Sequence, residues 1–114
     1  MAGSNIIVDK SFEFALEIIS FSRSLRNDRE FDLSSQVFRS GTSIGANVRE
    51  AQNAESKADF IHKMKIAAKE CEEIQYWLEL CEESEHLESK LDLLEKAREI
   101  KKILNAIIGT SKRK

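Results

Sequence analysis

The sequence predicts an all-α protein, an antiparallel up-down-up-down four-helix bundle, and three observations support this prediction. The 114 residues contain no proline and only four glycines, whereas a turn-rich β protein of this size normally uses several prolines. Charged residues make up 33% of the chain and hydrophobic residues 41%, with the abundance of Ala, Glu, Lys, Leu and Ile that is typical of long helices. Apolar residues recur at intervals of three and four, as one face of a helix requires.

Polar runs that favour turns divide this pattern into four segments joined by short connectors, within one domain. Asn5 is a suitable cap for the first helix, and Ser56 with Asp59 resembles a capping box at the start of the third. Gly109 stands where a C-terminal cap of the fourth helix is expected. The predicted helices cover residues 6–27, 33–54, 57–83 and 88–108, followed by a basic tail at 110–114.

The first predicted helix carries two apolar stripes, although a helix in a monomeric bundle needs only one. One stripe contains Phe12, Ala15, Leu16 and Ile19. The other lies nearly opposite and contains Phe14, Ile18, Phe21 and Leu25. We assign this second stripe to contact with another subunit, and the alternative is a helix buried deep in its own bundle.

Two glycines in the second helix and one tryptophan in the third are further interface candidates. Gly41 and Gly45 are four residues apart and therefore lie on one side of the helix, where each costs up to ~1 kcal/mol relative to alanine. Close approach of a neighbouring helix backbone or bulky ring would offset that cost, and a local kink is the alternative. Trp77 lies outside the heptad seam of the third helix and is either an interface anchor or a flank of the core.

A line of polar side chains, here named the polar ladder, follows the other flank of the second helix. We interpret it as hydrogen bonds between helices or between subunits. A ligand or phosphate site built on the planar donors of Arg39 is one alternative, and simple solvent exposure is the other. The ladder consists of Gln36, Arg39, Ser43, Asn47 and Glu50, with Glu70 across the bundle.

The motifs of common catalytic and metal sites are missing from the sequence. It has no Glu-x-x-His pair within a predicted helix, no phosphate-binding glycine loop and no Cys-x-x-Cys. No Ser, His and Asp residues have a spacing on the predicted helices that supports a catalytic triad. We therefore expect no enzymatic activity, no cofactor and no metal. Cys71 and Cys81 are ten residues apart on one helix, about 15 Å, which is beyond disulfide reach. Reduced thiols indicate a cytoplasmic protein, and no apolar run predicts a membrane segment.

The net charge of −2 gives the molecule no overall basic field of the kind that attracts nucleic acid. Positive charge is concentrated only at Lys112, Arg113 and Lys114. We assign these three residues as candidate contacts to RNA phosphates, and a solvated tail is the alternative.

Three motifs in order give the chain a family resemblance that covers almost its whole length. They are Arg39-Ser-Gly-Thr-Ser-Ile-Gly-Ala-Asn-Val-Arg-Glu-Ala51, Ile7-Val-Asp-Lys-Ser-Phe-Glu-Phe-Ala15, and the segment from Phe60 to Leu78. With these motifs the chain resembles the small four-helix bundle proteins encoded by intervening sequences in bacterial 23S ribosomal RNA genes, often named S23-like ribosomal proteins.

The resemblance implies a bundle that assembles as a ring, typically a homopentamer, with no established biochemical role. Relatives include the accessory proteins of diversity-generating retroelements, pentameric barrels that bind reverse transcriptase and nucleic acid through a strongly basic surface. The acidic balance of this chain departs from that pattern. We therefore predict a non-enzymatic homo-oligomeric scaffold or adaptor with an RNA or protein partner. Direct RNA binding through the tail and exposed Arg and Lys is the alternative function.

Overall fold

Four α-helices make up the fold in the computed structural model, which describes residues 5–113. Those residues contain no strand, so the all-α prediction is confirmed. Among them, no helix has the length and apolar character needed to span a membrane. The helices are α1 (Ile6–Asn27), α2 (Phe31–Ala51), α3 (Lys57–Glu83) and α4 (Leu91–Arg113).

Each helix contacts the next one along the chain, and α1 also contacts α4, which gives a four-helix bundle measuring 47 × 24 × 23 Å. Contacts between α1 and α2 join Asn5 to Gln52 at one end and Ser22 to Ser34 near the other. The residue number of the contacting α2 residue falls as the α1 residue number rises, so these two helices are antiparallel. The contacts between α2 and α3, and between α4 and α1, show the same reversal.

Local capping fixes the starts of α1 and α3 where the sequence predicts them. The Asn5 side chain accepts a hydrogen bond from the backbone N–H of Val8, and the Ser56 hydroxyl accepts one from the N–H of Asp59 at 3.0 Å. The connector after α1 is tight, with Arg29 in the left-handed region at φ 67°. This turn lets α2 begin two residues before the predicted start at 33, and α2 ends at Ala51 rather than at 54.

The fourth helix differs most from its prediction of 88–108. It begins at Leu91 and continues through Gly109 to Arg113, so Gly109 is not a terminal cap and the predicted tail is helical where described. One glycine costs only ~1 kcal/mol in a helix, and the preceding Ile107 and Ile108 pack against the core. Basic residues in the last turn also suit the negative end of the helix. Lys114 lies outside the described residues.

The two stripes of α1 face the opposite way from the prediction. Phe14, Ile18, Phe21 and Leu25 are at most 2% exposed and form part of the protomer's own core, so their assignment to a subunit interface is wrong. Their spacing continues from Ile7 to the end of the helix and faces the bundle along its full length. The shorter stripe is the outward one, since Phe12 is 50% exposed and Leu16 is 54% exposed.

The glycines of α2 allow close approach of α1 within the same protomer. A Cβ atom on Gly41 would lie 2.7 Å from two side-chain carbons of Ile18. A Cβ atom on Gly45 would lie 3.3 Å from the backbone oxygen of Ser11. The predicted reason for the glycines, a close neighbouring helix, is therefore correct. Their assignment to an interface between subunits is wrong, because the neighbour is the protein's own α1.

The two cysteines are free thiols buried in the core. Burial raises the pKa of Cys71 to about 11 and that of Cys81 to about 11. The Cys71 thiol donates a hydrogen bond to the backbone oxygen of Ala97 at 3.1 Å. Both side chains therefore act as small apolar groups of the α3 seam, as predicted.

Substituting Gly41 with alanine tests the α1–α2 contact. We expect Gly41→Ala to lower the free energy of unfolding by about 1–2 kcal/mol, because the overlap with the branched, buried Ile18 outweighs the gain in helix propensity. The matched control is Gly109→Ala, whose Cβ would meet only Arg113 at 3.5 Å and should raise stability by up to ~1 kcal/mol. Urea denaturation measures both, and equal stabilisation would contradict the close packing.

Thiol labelling tests the burial of the cysteines. A pH of 8 lies below the raised pKa values of both thiols in the folded protein, so both stay protonated. Because they are also shielded from solvent, we expect slow reaction with a thiol reagent. In denaturant both should react rapidly with a stoichiometry of two. Since folding favours the protonated thiols, stability should also fall as pH rises from 9 towards 11. Fast labelling of either cysteine in the folded protein would contradict this.

Candidate interaction surfaces

The polar ladder lies in the groove between α2 and α3 of one protomer. One Arg39 nitrogen, Nη2, donates to Glu73 Oε2 at 2.6 Å and to Gln36 Oε1 at 2.7 Å. The other, Nη1, lies 3.9 Å from Oε1 of Glu70. The guanidinium thus joins two carboxylates of α3 to α2. Arg39 is a structural arginine here, as the ladder interpretation expects.

The remaining ladder residues divide into two groups. Glu50 reaches across to Lys63 of α3 at 3.0 Å, so it too joins the two helices. Ser43 and Asn47 instead donate to backbone oxygens one turn earlier in α2. Glu70 has the least exposed side chain of the ion-paired carboxylates, at 22%, and its Oε1 atom accepts no hydrogen bond among the described residues. Arg39 therefore supplies its nearest cation.

Ion pairs cross three of the four grooves between neighbouring helices. The groove between α1 and α2 has no such pair among residues 5–113. Its cross-helix polar contacts are instead the Asn5–Gln52 bond at one end and a buried serine pair near the other. The ion pairs that cross the other grooves are Arg39–Glu73, Arg39–Glu70 and Lys63–Glu50 for α2–α3, Lys10–Glu99 and Lys96–Glu17 for α1–α4, and Arg98–Glu79 and Lys101–Glu72 for α3–α4.

The outer surface of the α1–α2 pair is apolar, and we name it the α1–α2 face. Its large side chains are half exposed: 50% for Phe12, 54% for Leu16 and 47% for Phe38. It contains two shallow grooves of about 430 and 400 Å³. The face consists of Val8, Phe12, Ala15, Leu16, Ile19, Phe38, Thr42 and Ala46.

A reciprocal pair of buried serines lies under one end of this face. The Ser22 hydroxyl donates to the backbone oxygen of Ser34 at 2.9 Å, and the Ser34 hydroxyl donates to that of Ser22 at 2.8 Å. Small side chains let the helices approach, and each buried hydroxyl finds a partner. The predicted apolar stripes did not include this pair, although serines at core spacing next to those stripes are a sequence signal for it.

Three arginines border the α1–α2 face. Arg23 and Arg26 line the larger groove beside Ile19 and Phe38, and neither pairs with a carboxylate among the described residues. The guanidinium carbon of Arg49 lies 5.5 Å from the ring centre of Phe12, a cation–π contact at the other end. Glu50 lines the groove at the Arg49 end, so the face is locally positive at the end that carries Arg23 and Arg26, although the chain carries a net charge of −2.

Trp77 is half-buried and packs against the core, which matches the core-flank alternative. Its indole N–H donates to Glu73 Oε2 at 3.1 Å, so it joins the Arg39 network. Its ring meets Tyr76 edge-on, with 5.1 Å between ring centres. The more exposed apolar side chains nearby are Tyr76 at 55% and Leu80 at 40%. An interface role for Trp77 stays a prediction.

Lys112 and Arg113 lie in the last turn of α4 and are exposed. The neighbouring Lys112 lowers the pKa of Lys65 on α3, because two ammonium groups in contact disfavour each other's charge. Contact of these residues with RNA stays a prediction. Within residues 5–113, no three His, Cys, Asp or Glu side chains are grouped so that they could hold a metal ion.

The arrangement of motifs on this bundle agrees with comparison to known proteins. A family model described as 23S rRNA-intervening sequence protein matches residues 4–106. The chain belongs to this family. The predicted resemblance is thus confirmed for the 23S rRNA-intervening sequence proteins, while a relation to retroelement accessory proteins stays a prediction.

A solved structure supports the same membership in the intervening sequence protein family. It is the 1.70 Å crystal structure of a protein with unknown function from the S23 ribosomal protein family of Bacteroides thetaiotaomicron VPI-5482. It is 46% identical to this chain with a TM-score of 0.85, and the match covers 90% of this chain and 97% of that one. Comparison with curated proteins gives no match. The family and this neighbour identify the fold and leave the biochemical role open.

Substitution of Arg39 tests the structural role of the ladder. We expect Arg39→Met, which keeps an apolar stem, to lower the free energy of unfolding by about 1 kcal/mol, because Glu70 and Glu73 lose their shared cation. The control is Arg98→Met, which removes one pair at 3.6 Å between half-exposed side chains and should cost less. Urea denaturation at low and high salt measures the difference. An Arg98→Met loss as large as that of Arg39→Met would contradict a special role for Arg39.

Proposed function

We propose that this member of the 23S rRNA-intervening sequence protein family is a non-enzymatic homo-oligomeric scaffold whose subunits contact each other through the α1–α2 face. The observation that carries the proposal is the contrast between the grooves. Three are crossed by ion pairs, whereas the α1–α2 groove presents half-exposed phenylalanine and leucine side chains to solvent. Contiguous apolar surface of this kind is typical of protein interaction sites.

The exposed apolar side chains of the α1–α2 face favour contact between subunits. Full burial of a Phe or Leu side chain contributes roughly 1.5–3 kcal/mol, so burying the exposed halves of Phe12, Leu16 and Phe38 adds several kcal/mol at an interface. The face also follows the long axis of a 47 Å bundle, which offers length for a contact of standard area. The close helix approach at Gly41 packs α1 tightly against α2 beneath this face, which favours binding with little reordering.

The polar residues support a structural rather than a catalytic role. The donors of Arg39 are already directed at Gln36, Glu70 and Glu73. The buried thiols have raised pKa values and little thiolate character at neutral pH. A ring of five subunits, as the resemblance implies, and a cytoplasmic location belong to this proposal. RNA binding through Lys112 and Arg113 is not needed to explain the apolar face.

The oligomeric state of an exposed-face variant tests the proposal. At micromolar concentration we expect sedimentation equilibrium to give a multiple of the 13.0 kDa chain mass for the wild type and the single-chain mass for Leu16→Asp. A charge placed at a 54% exposed position should leave the fold intact, which circular dichroism checks. The matched control is Ile6→Asp, since Ile6 is 59% exposed but lies outside this face. A monomeric wild type, or an assembled Leu16→Asp variant, would overturn the proposal.

A further inference from the structure

We propose that the interface is heterologous: the end of the α1–α2 face that carries Arg23 and Arg26 packs, in one copy, against an acidic patch on α3 of the next copy. We name the second surface the α3 patch. The inference rests on the proposed function, because it identifies the surface that meets the α1–α2 face. The α3 patch consists of Tyr76, Glu79, Leu80 and Glu83.

The α3 patch combines exposed apolar side chains with carboxylates on one side of a helix. Tyr76 and Leu80 are one turn apart, as are Glu79 and Glu83, so the four side chains adjoin each other. Tyr76 is 55% exposed and Leu80 is 40% exposed. Glu83 is exposed and has no cationic partner among the described residues, whereas Glu79 lies 3.6 Å from Arg98. An apolar centre with a carboxylate rim is the complement of the α1–α2 face.

The charges of the two surfaces are segregated along the chain. Residues 70–89 contain eight glutamates and no lysine or arginine. The larger groove of the α1–α2 face is instead lined by Arg23 and Arg26 without a carboxylate among its lining residues. Pairing two α1–α2 faces would bring arginine towards arginine in a partly desolvated contact, which is unfavourable. Pairing an α1–α2 face with an α3 patch brings arginine towards glutamate.

The two surfaces also lie at the same level along the bundle. Ser22 of α1 bonds Ser34 of α2, and Arg39 of α2 bonds Glu73 of α3. Ser34 comes five residues before Arg39 in α2. Because α3 runs antiparallel to α2, Ser34 lies at the height of the residue five after Glu73, which is Leu78. The segment that follows Ser22 in α1 is therefore level with the C-terminal part of α3.

The two surfaces lie at the same height but on different sides of the bundle. Neighbouring copies that join these surfaces are therefore related by a rotation about an axis roughly parallel to the helices. Such a rotation keeps Arg23 and Arg26 of one copy at the height of Glu79 and Glu83 of the next. A repeated heterologous contact of this kind forms a ring when the rotation closes. The N-terminal half of α3 carries Lys65 and Lys69 instead, so the complementarity is confined to the end nearer Glu83.

Charge exchange tests the pairing directly. We expect Arg26→Glu alone and Glu83→Arg alone each to weaken assembly by about tenfold or more, because each places like charges in contact. The double variant Arg26→Glu/Glu83→Arg should recover most of the wild-type affinity, since every interface then regains opposite charges. The control is Glu95→Arg, an exposed glutamate on α4 outside the patch, which makes the same change of charge. Absence of recovery in the double variant would overturn the pairing.

A mixing experiment distinguishes a heterologous contact from a face-to-face one. Leu16→Asp blocks the α1–α2 face, and Leu80→Asp blocks the α3 patch. We expect each variant alone to be monomeric and their equimolar mixture to form a dimer that grows no further, since one intact surface remains on each chain. If the wild type is oligomeric and the Leu80→Asp variant also assembles by itself, the pairing with the α3 patch is overturned and the proposed function stands. A monomeric wild type overturns the proposed function as well.

Discussion

The contact between α1 and α2 at the two glycines is the constraint on which the rest of the structure depends. Ile18 occupies the space that a side chain at Gly41 would need, and the backbone at Ser11 lies against Gly45. This approach fixes the rotation of α1 about its own axis, so that Phe14 and Phe21 point into the core. The same rotation turns the remaining apolar stripe outwards. A requirement of internal packing thereby produces the surface to which we assign assembly.

Electrostatics reinforces the division that packing creates. Polar side chains at the edges of the other grooves form ion pairs across them, and the arginine in the α2–α3 groove holds two carboxylates. Each such pair at a surface contributes little to stability. Together they give these grooves charged edges whose partners lie within the same protomer. The α1–α2 groove has apolar side chains at the corresponding positions, with arginines at its border. The contrast between grooves, more than any one contact, indicates where a neighbour belongs.

Much of the fold could be predicted from particular residues. The caps at Asn5 and Ser56 fix the starts of α1 and α3, because those signals are local and their hydrogen bonds form within one turn. The end of α4 could not be predicted from Gly109, because a glycine is compatible with both a cap and a helix interior. The interior was selected by the packing of Ile107 and Ile108 against the core.

The sequence by itself determined four amphipathic helices, the family, the strip of polar residues on α2 and the need for close approach at Gly41. The family follows from the three motifs. The other features follow from residue types and from the helical periodicity that fixes the angles between side chains on one helix. Only the tertiary structure decided which stripe of α1 faces inwards and that Arg39 binds carboxylates of its own protomer. Those outcomes depend on how each helix is rotated about its axis relative to its neighbours. The residue pattern of one helix does not determine that rotation.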